Sequence, residues 1–215
     1  MNKPTVFFDF DNTITTKDVL DGLIERYSSD DRWVELEKKW KNGEIGSRDC
    51  LKGQMEGVRV TKEALDDYIG TVEIDPYFNK LIKFFDSKKI RTMIVSDNFD
   101  YILNAVLRKN GIKDVPVYSN RLRMSKDRLI PSFPLNNKRC GDCAHCKKTT
   151  LVKKFKKGSV SVYIGDGLSD VCASKEADIV FAKGYLMKHF SEEKLPHVPF
   201  KNLKDIYEYF KRRMP

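Results

Sequence analysis

The sequence predicts an α/β protein: a doubly wound parallel sheet with a helical cap inserted after the first strand. Three observations predict it. Short apolar runs of strand character alternate with stretches of helical period. Those runs are almost continuously apolar, as a sheet covered on both faces requires. One long block of helix-like sequence follows the first strand with no strand interrupting it. The division this implies is a core of residues 1–15 and 75–215 and a cap of residues 16–74.

The elements follow in order. TVFFDF (5–10) reads as the first strand. Helical periodicity then covers 16–27, 31–41, 47–56 and 61–70, with Asn42–Gly43 and Gly57 as breaks, and Asp75–Pro76 ends the block. A helix over 77–88 leads to the strand RTMIVS (91–96), and a helix over 98–109 to the strand VPVYS (115–119). Within the irregular stretch 120–146, LRMSKDRLI suggests a hairpin around Lys126–Asp127, followed by the loop PSFPLNNKRCGDCAHC. A helix over 147–156, the strand VSVYIG (160–165), a helix over 168–175, the strand DIVFA (178–182) and a helix over 202–212 complete the chain.

A chain of 215 residues suffices for one core plus a small inserted domain. With 40% hydrophobic and 33% charged residues it reads as folded rather than disordered. No apolar run approaches the roughly 18 residues of a membrane span. Met1, Lys3 and Pro4 lead straight into strand-like sequence without a signal-peptide pattern, so a cytoplasmic protein with no membrane partner is expected. The net charge is +9, yet the lysines are spread along the chain, often opposite glutamates at helical spacing. That describes a solvated surface drawing small anions; a nucleic-acid partner is not expected. Oligomeric state is not legible.

The chemistry-bearing residues gather at strand ends. Asp9 and Asp11 close the first strand on the same side, with Phe10 on the other. Two carboxylates so close need a cation between them or a shared proton. Ser96 and Asp97 end RTMIVSD, and Asp166 and Asp170 follow VSVYIG in a Gly-Asp-Gly turn. Lys147 opens a helix, where an ammonium and backbone N–H groups hold phosphate; Lys148 is the alternative. Parallel sheets of this kind bind ligands beyond the carboxyl ends of their strands. Each of these residues also has an ordinary reading as a helix cap or turn residue.

DFDNT near the start, a serine at a second strand end, one lysine and then GDGLSD, in that order, resemble the haloacid dehalogenase superfamily of aspartate-nucleophile phosphatases. The likeness runs over essentially the whole chain, and the helical insert looks like the cap of the phosphoserine phosphatase branch. The resemblance implies a phosphomonoester hydrolase acting on a small phosphorylated metabolite. In it Asp9 is the nucleophile and forms an aspartyl-phosphate, Asp11 is the acid–base, and Ser96, Asp97 and Lys147 bind phosphate. It also implies Mg2+ held through Asp9, Asp11 (by its backbone carbonyl), Asp166 and Asp170. The CxxCxxCK loop and FAKGYLMKH look like two subfamilies, the phosphoethanolamine/phosphocholine phosphatases and the methionine-salvage (2-hydroxy-3-keto-5-methylthiopentenyl-1-phosphate) phosphatases. Ser96-Asp97-Asn98 favours the first, because the salvage and phosphoserine enzymes carry a Ser-Gly-Gly type sequence there. A catalytically silent module binding a phosphorylated ligand is the non-enzyme alternative, against which the intact Asp9, Asp11, Ser96, Lys147 and Asp166 argue.

Asp18, Asp97 and Asn98 are the expected specificity residues, since carboxylates at the mouth suit a cationic head group; Asp18 as a simple helix cap is the competing reading. Trp40, Tyr68 and Phe99 read either as an aromatic wall or as core. Cys140, Cys143 and Cys146, with His145 among them, leave three readings open: a structural Zn2+ site, thiol redox chemistry, or a packed loop. Cys172, one turn after Asp170, reads as a core residue.

Overall fold

Val6 and Phe8 point to one side of β1 (Thr5–Phe8) and Phe7 to the other, and all three are fully buried. A strand buried on both faces must sit mid-sheet, and β1 does. It pairs in parallel with β2 (Arg91–Phe99) on one side and β5 (Ser161–Gly165) on the other, Thr5 opposite both Arg91 and Ser161. In this computed structural model, which describes residues 3–155 and 158–214, the sheet has seven strands. With β3 (Val117–Ser125), β4 (Arg128–Ser132), β6 (Ile179–Ala182) and β7 (Val198–Pro199), its order is β4-β3-β2-β1-β5-β6-β7. Every pairing is parallel except the antiparallel β3–β4 hairpin. The expected limits at 1 and 215 and the expected helix end at 156 lie outside the described residues.

Helices cover both faces. α5 (Phe78–Ser87), α6 (Asp100–Lys109) and α10 (Leu203–Arg213) bring Phe78, Phe85, Ile102 and Phe210 against Val6, Phe8 and Ile94. On the opposite face, Leu151 of α7 (Lys147–Lys154) and Ala173 of α8 (Val171–Ser174) pack on Phe7, Met93, Val95 and Tyr163.

Between β1 and α5 run four helices: α1 (Val19–Tyr27), α2 (Arg32–Lys41), α3 (Ser47–Gly57) and α4 (Lys62–Gly70). Asp18 and Thr61 cap α1 and α4 by accepting from the amides of Asp21 and Ala64. Leu23, Ile24, Met55, Val58, Leu65 and Ile69 join the apolar cluster that contains Phe8. Isolated bridges pair Thr15 with Ile74 and Arg59 with Arg128. α2 buries none of its residues fully.

Several elements differ from expectation. The expected strand begins at Val117 rather than Val115 and runs without a break into the first arm of the hairpin as one strand, β3. α9 (Gly184–Glu192) and the two-residue β7 went unread. The helix expected over 168–175 divides into a 3-10 turn, Leu168–Asp170, and α8, because the Asp170 carboxylate folds back onto the amides of Asp166 and Gly167. β2 runs to Phe99, and its register with β3 slips between Val95 and Phe99. A bulge there frees Ser96, Asp97 and Asn98 from the ladder. Among the described residues, no helix is long and apolar enough to cross a membrane.

Candidate active site

β1 and β5 are neighbours, so their carboxyl ends deliver Asp9 and the turn after Gly165 to the same place. Lys147, the first residue of α7, reaches in from the sheet's side. Its ammonium donates to Asp9 Oδ1 at 2.6 Å, Asp170 Oδ1 at 2.7 Å and Ser169 Oγ at 3.0 Å. Both ion pairs are almost fully shielded from water, where an unbalanced charge is costly. Lys148 points away and pairs with Glu176 at 2.5 Å, so the ammonium in the site is that of Lys147.

Asp170 is wholly occupied by the protein. Oδ1 accepts from Lys147 and from the Tyr163 hydroxyl at 2.7 Å; Oδ2 accepts from the amides of Asp166 and Gly167. Gly165 is required beneath it, because a Cβ there would meet Asp170 Oδ2 at 2.5 Å. Asp166 Oδ1 accepts from the Thr13 hydroxyl at 3.0 Å. Carboxylate oxygens of Asp9, Asp166 and Asp170 lie within 4.8 Å of one another. One ammonium cannot balance three carboxylates. Burial and then Asp170 push Asp166 up to about 7, and burial with Asp170 raises Asp9 well above the usual carboxylate range. Lys147 stays charged: burial opposes its ammonium, but Asp170 and Asp9 outweigh that.

Asp11 sits across from this group. Its carboxylate accepts from the Val19 amide at 2.9 Å and from Asn98 Nδ2 at 3.2 and 3.1 Å. Burial and then the nearby Asp18 charge raise its pKa. Asn98 is fixed in turn, its Oδ1 accepting from the Phe99 amide at 2.6 Å. Asn12, at φ 52°, turns the chain so that Thr13 returns to Asp166. Ser96 is buried at the pocket floor, its Oγ accepting from the Asn98 amide at 3.0 Å and its carbonyl meeting His145 Nδ1 at 2.9 Å. Asp97 lines the same pocket; among the described residues one of its buried oxygens has no hydrogen-bond donor, and burial pushes its pKa up to about 6.

The facing wall comes from the helical block: Asp18, Asp21, Glu37, Trp40, Ser47 and Gln54. Asp18 holds both positions open to it in the sequence, because it caps α1 and also lines the pocket. Enclosure, then Asp18 and Glu37, push Asp21 up to about 7. Glu37 accepts from Gln54 at 3.2 Å and pairs with Lys41 at 3.0 Å. Of the three aromatic residues, Trp40 lines the pocket, Tyr68 donates to the Val19 carbonyl, and Phe99 is core. Sequence reasoning passed over Thr13, Tyr163, Ser169, Asp21 and Glu37. Thr13 and Ser169 lie inside the two motifs and were open to reading; Tyr163 looks like any strand residue, and Asp21 and Glu37 like any helix-surface acid.

The cysteine loop lies beside the site. Sγ atoms of Cys140, Cys143 and Cys146 are within 4.8 Å of one another, while His145 is turned inward, between the Ser96 carbonyl and Thr150 Oγ1 at 2.7 Å. Cys172, expected in the core, is exposed, because the short α8 turns it toward the cavity that the other three line.

Residues 5–202 match the model of the "Putative Phosphatase" family. A 2-hydroxy-3-keto-5-methylthiopentenyl-1-phosphate phosphatase of Brevibacillus brevis is 26% identical over 96% of this chain and 95% of its own. A bifunctional MtnB/MtnX enzyme of Bacillus licheniformis is 28% identical over 96% of this chain and 49% of its own. A phosphoserine phosphatase solved as a phospho-aspartyl intermediate analogue shares the fold with a TM-score of 0.73 at 19% identity, over 97% of this chain and 99% of that one. With its acidic strand ends gathered around one buried lysine and a family match over residues 5–202, the chain belongs to the "Putative Phosphatase" family.

Proposed function

We propose that this phosphatase hydrolyses small phosphomonoesters with a positively charged head group, such as phosphoethanolamine or phosphocholine, through Asp9. The observation that carries the reading is a single pocket with Asp9 and Lys147 at its floor and Asp18, Asp21, Glu37 and Trp40 on its facing wall. The floor suits a phosphoryl group, the carboxylates suit an ammonium, and a Trp face adds cation–π attraction.

Asp9 attacks phosphorus in line, and the ester oxygen leaves with a proton from Asp11. Asp11 then takes a proton from the water that attacks the aspartyl-phosphate, which returns Asp9 and releases phosphate. Asn98 and the Val19 amide hold the Asp11 carboxylate in position for both transfers. Lys147 steadies Asp9 and the charge spread over the phosphoryl oxygens, and the Ser96 hydroxyl donates to them. Asp170 acts through Lys147 and the 166–167 amides as a positioning residue. The helices of 16–74 serve as the cap that keeps water out.

The donor set fits Mg2+: hard carboxylate oxygens within 4.8 Å and more negative charge than Lys147 offsets. Asp9, Asp166 and the Asp11 backbone carbonyl would hold it, with Asp170 oriented behind them. Bound there, the ion would polarise a phosphoryl oxygen.

The curated relatives supply a second reading, a methionine-salvage enol-phosphate as substrate, because two of them carry that activity or the matching bifunctional name across nearly all of this chain. Phosphate release from phosphoethanolamine, phosphocholine, phosphoserine, sugar phosphates and an enol-phosphate mimic, with Mg2+ or EDTA, separates the two. We expect Mg2+-dependent turnover, highest with cationic head groups and absent in Asp9→Asn. Preference for the enol-phosphate mimic would transfer the assignment to the second reading. Turnover by folded Asp9→Asn equal to the parent would overturn both.

A further inference from the structure

Three thiols meet on a loop that the reaction does not use. The loop is closed by backbone bonds, Cys140 N–H to Asn137 O at 3.0 Å and Cys146 N–H to Leu135 O at 2.9 Å, and by a bridge pairing Asn137 with Cys143. Gly141 and Asp142, both at positive φ, make the tight turn that brings Cys140 and Cys143 together. None of the three is in a disulfide. Thiolates bound tetrahedrally at about 2.3 Å from one zinc ion stand about 3.8 Å apart, and sulfurs already within 4.8 Å reach that spacing with side-chain movement alone.

The loop also fastens two parts of the site. Cys146 caps α7, the helix that opens with Lys147. Asp142 pairs with Arg48 at 2.7 Å and accepts from its amide at 3.2 Å, while the Ala144 amide donates to Ser47 Oγ at 2.8 Å. Gly46 is packed so closely on the loop that a Cβ would meet the Asp142 carbonyl at 2.5 Å. The thiols therefore lie where α7 and the start of α3 are joined.

We propose that Cys140, Cys143 and Cys146 bind a zinc-type divalent cation, with the fourth position facing the neighbouring cavity, and that this ion clasps α7 to α3. Sulfur donors select soft or borderline cations, whereas the all-oxygen set at Asp9 selects hard ones, so one chain sorts two metals by ligand chemistry. The role is structural: no sulfur has to touch the substrate.

The test uses the full reduced chain, purified without a metal-binding tag. Elemental analysis is expected to find about one zinc per chain, held by three thiolates. Co2+ added to the metal-free chain is expected to give a thiolate-to-cobalt charge-transfer band in the near ultraviolet. That band cannot come from oxygen ligands, so Asp9→Asn must keep it and Cys140→Ser and Cys143→Ser must lose it, while Cys50→Ser, a buried cysteine elsewhere, must keep it. Circular dichroism checks that each serine variant folds. A reduced, folded parent chain that shows no thiolate band with Co2+, a band that survives both Cys140→Ser and Cys143→Ser, or a disulfide between two of the three in the chain purified under reducing conditions would each overturn the proposal.

Discussion

The floor and the wall of the pocket are both acidic, but they are built differently. On the floor, Asp9 and Asp170 are locked to Lys147 by bonds of 2.6 and 2.7 Å, and Asp170 has no oxygen to spare. On the wall, Asp18, Asp21 and Glu37 come from one cap residue and two helices, and the ammonium paired with Glu37, that of Lys41, is exposed. Strand ends fix the floor; helices of an insert carry the wall. In the proposed reading the difference assigns the reaction to the sheet and the choice of substrate to the insert, so the two can be broken separately.

The largest effect is expected at the floor. Lys147→Ala leaves buried carboxylates facing each other unpaired, a loss of about 3–5 kcal/mol. Denaturant midpoints measured with EDTA should fall accordingly, and Mg2+ should restore part of the loss. An unchanged midpoint would mean that the ion network is not what holds the floor together.

The wall should yield a smaller and more selective effect. Asp21→Asn combined with Glu37→Gln removes charges that lie at a partly open mouth, each worth about 1 kcal/mol or less. The ratio of kcat/KM for cationic over neutral phosphomonoesters should drop about tenfold, with stability nearly unchanged and the effect shrinking at high salt. Equal losses on both substrate types would place the wall in the reaction rather than in recognition.

Asp97 lines the same pocket and should affect stability alone, by an amount comparable to the wall's effect on specificity. Its folded pKa of about 6 is above the ordinary carboxylate value because of burial. A carboxyl that keeps its proton longer when folded costs stability as pH rises from about 4 through about 6. Asp97→Asn should therefore stabilise the chain at pH 8 by about 1–2 kcal/mol relative to its effect at pH 4, after allowance for screening by the open pocket. A pH-independent effect would contradict this reading.

The floor was legible because its residues fall at fixed spacings at strand ends: Asp9 and Asp11 after TVFF, Asp166 and Asp170 after VSVYIG. The wall was not, because Asp21 and Glu37 occupy positions where helical periodicity puts any solvated acid. Tyr163 carries no signal of its own; only the fold brings its hydroxyl to Asp170. Ser96, Asp97 and Asn98 were found by order along the chain, but the bulge that aims them arises from β2–β3 pairing, which a single sequence does not display. The β3–β4 hairpin was read correctly at its turn and misjudged in length, since Val117–Ser125 crosses from a buried to an exposed environment within one strand. For the cysteines, spacing left a metal site, thiol redox chemistry and a packed loop open, and packing turns His145 toward Ser96 and Thr150.

The account's central claim is that Asp9 carries the phosphoryl group. Asp11→Asn leaves the nucleophile in place but slows both proton transfers, so the parent chain and Asp11→Asn are each quenched in acid during turnover of the best phosphomonoester with Mg2+. Borohydride reduction of the quenched chain, followed by peptide mass analysis, then identifies the phosphorylated aspartate. The account predicts homoserine at position 9 and at no other aspartate. Reduction at a different aspartate, or at none while phosphate is still released, would contradict it.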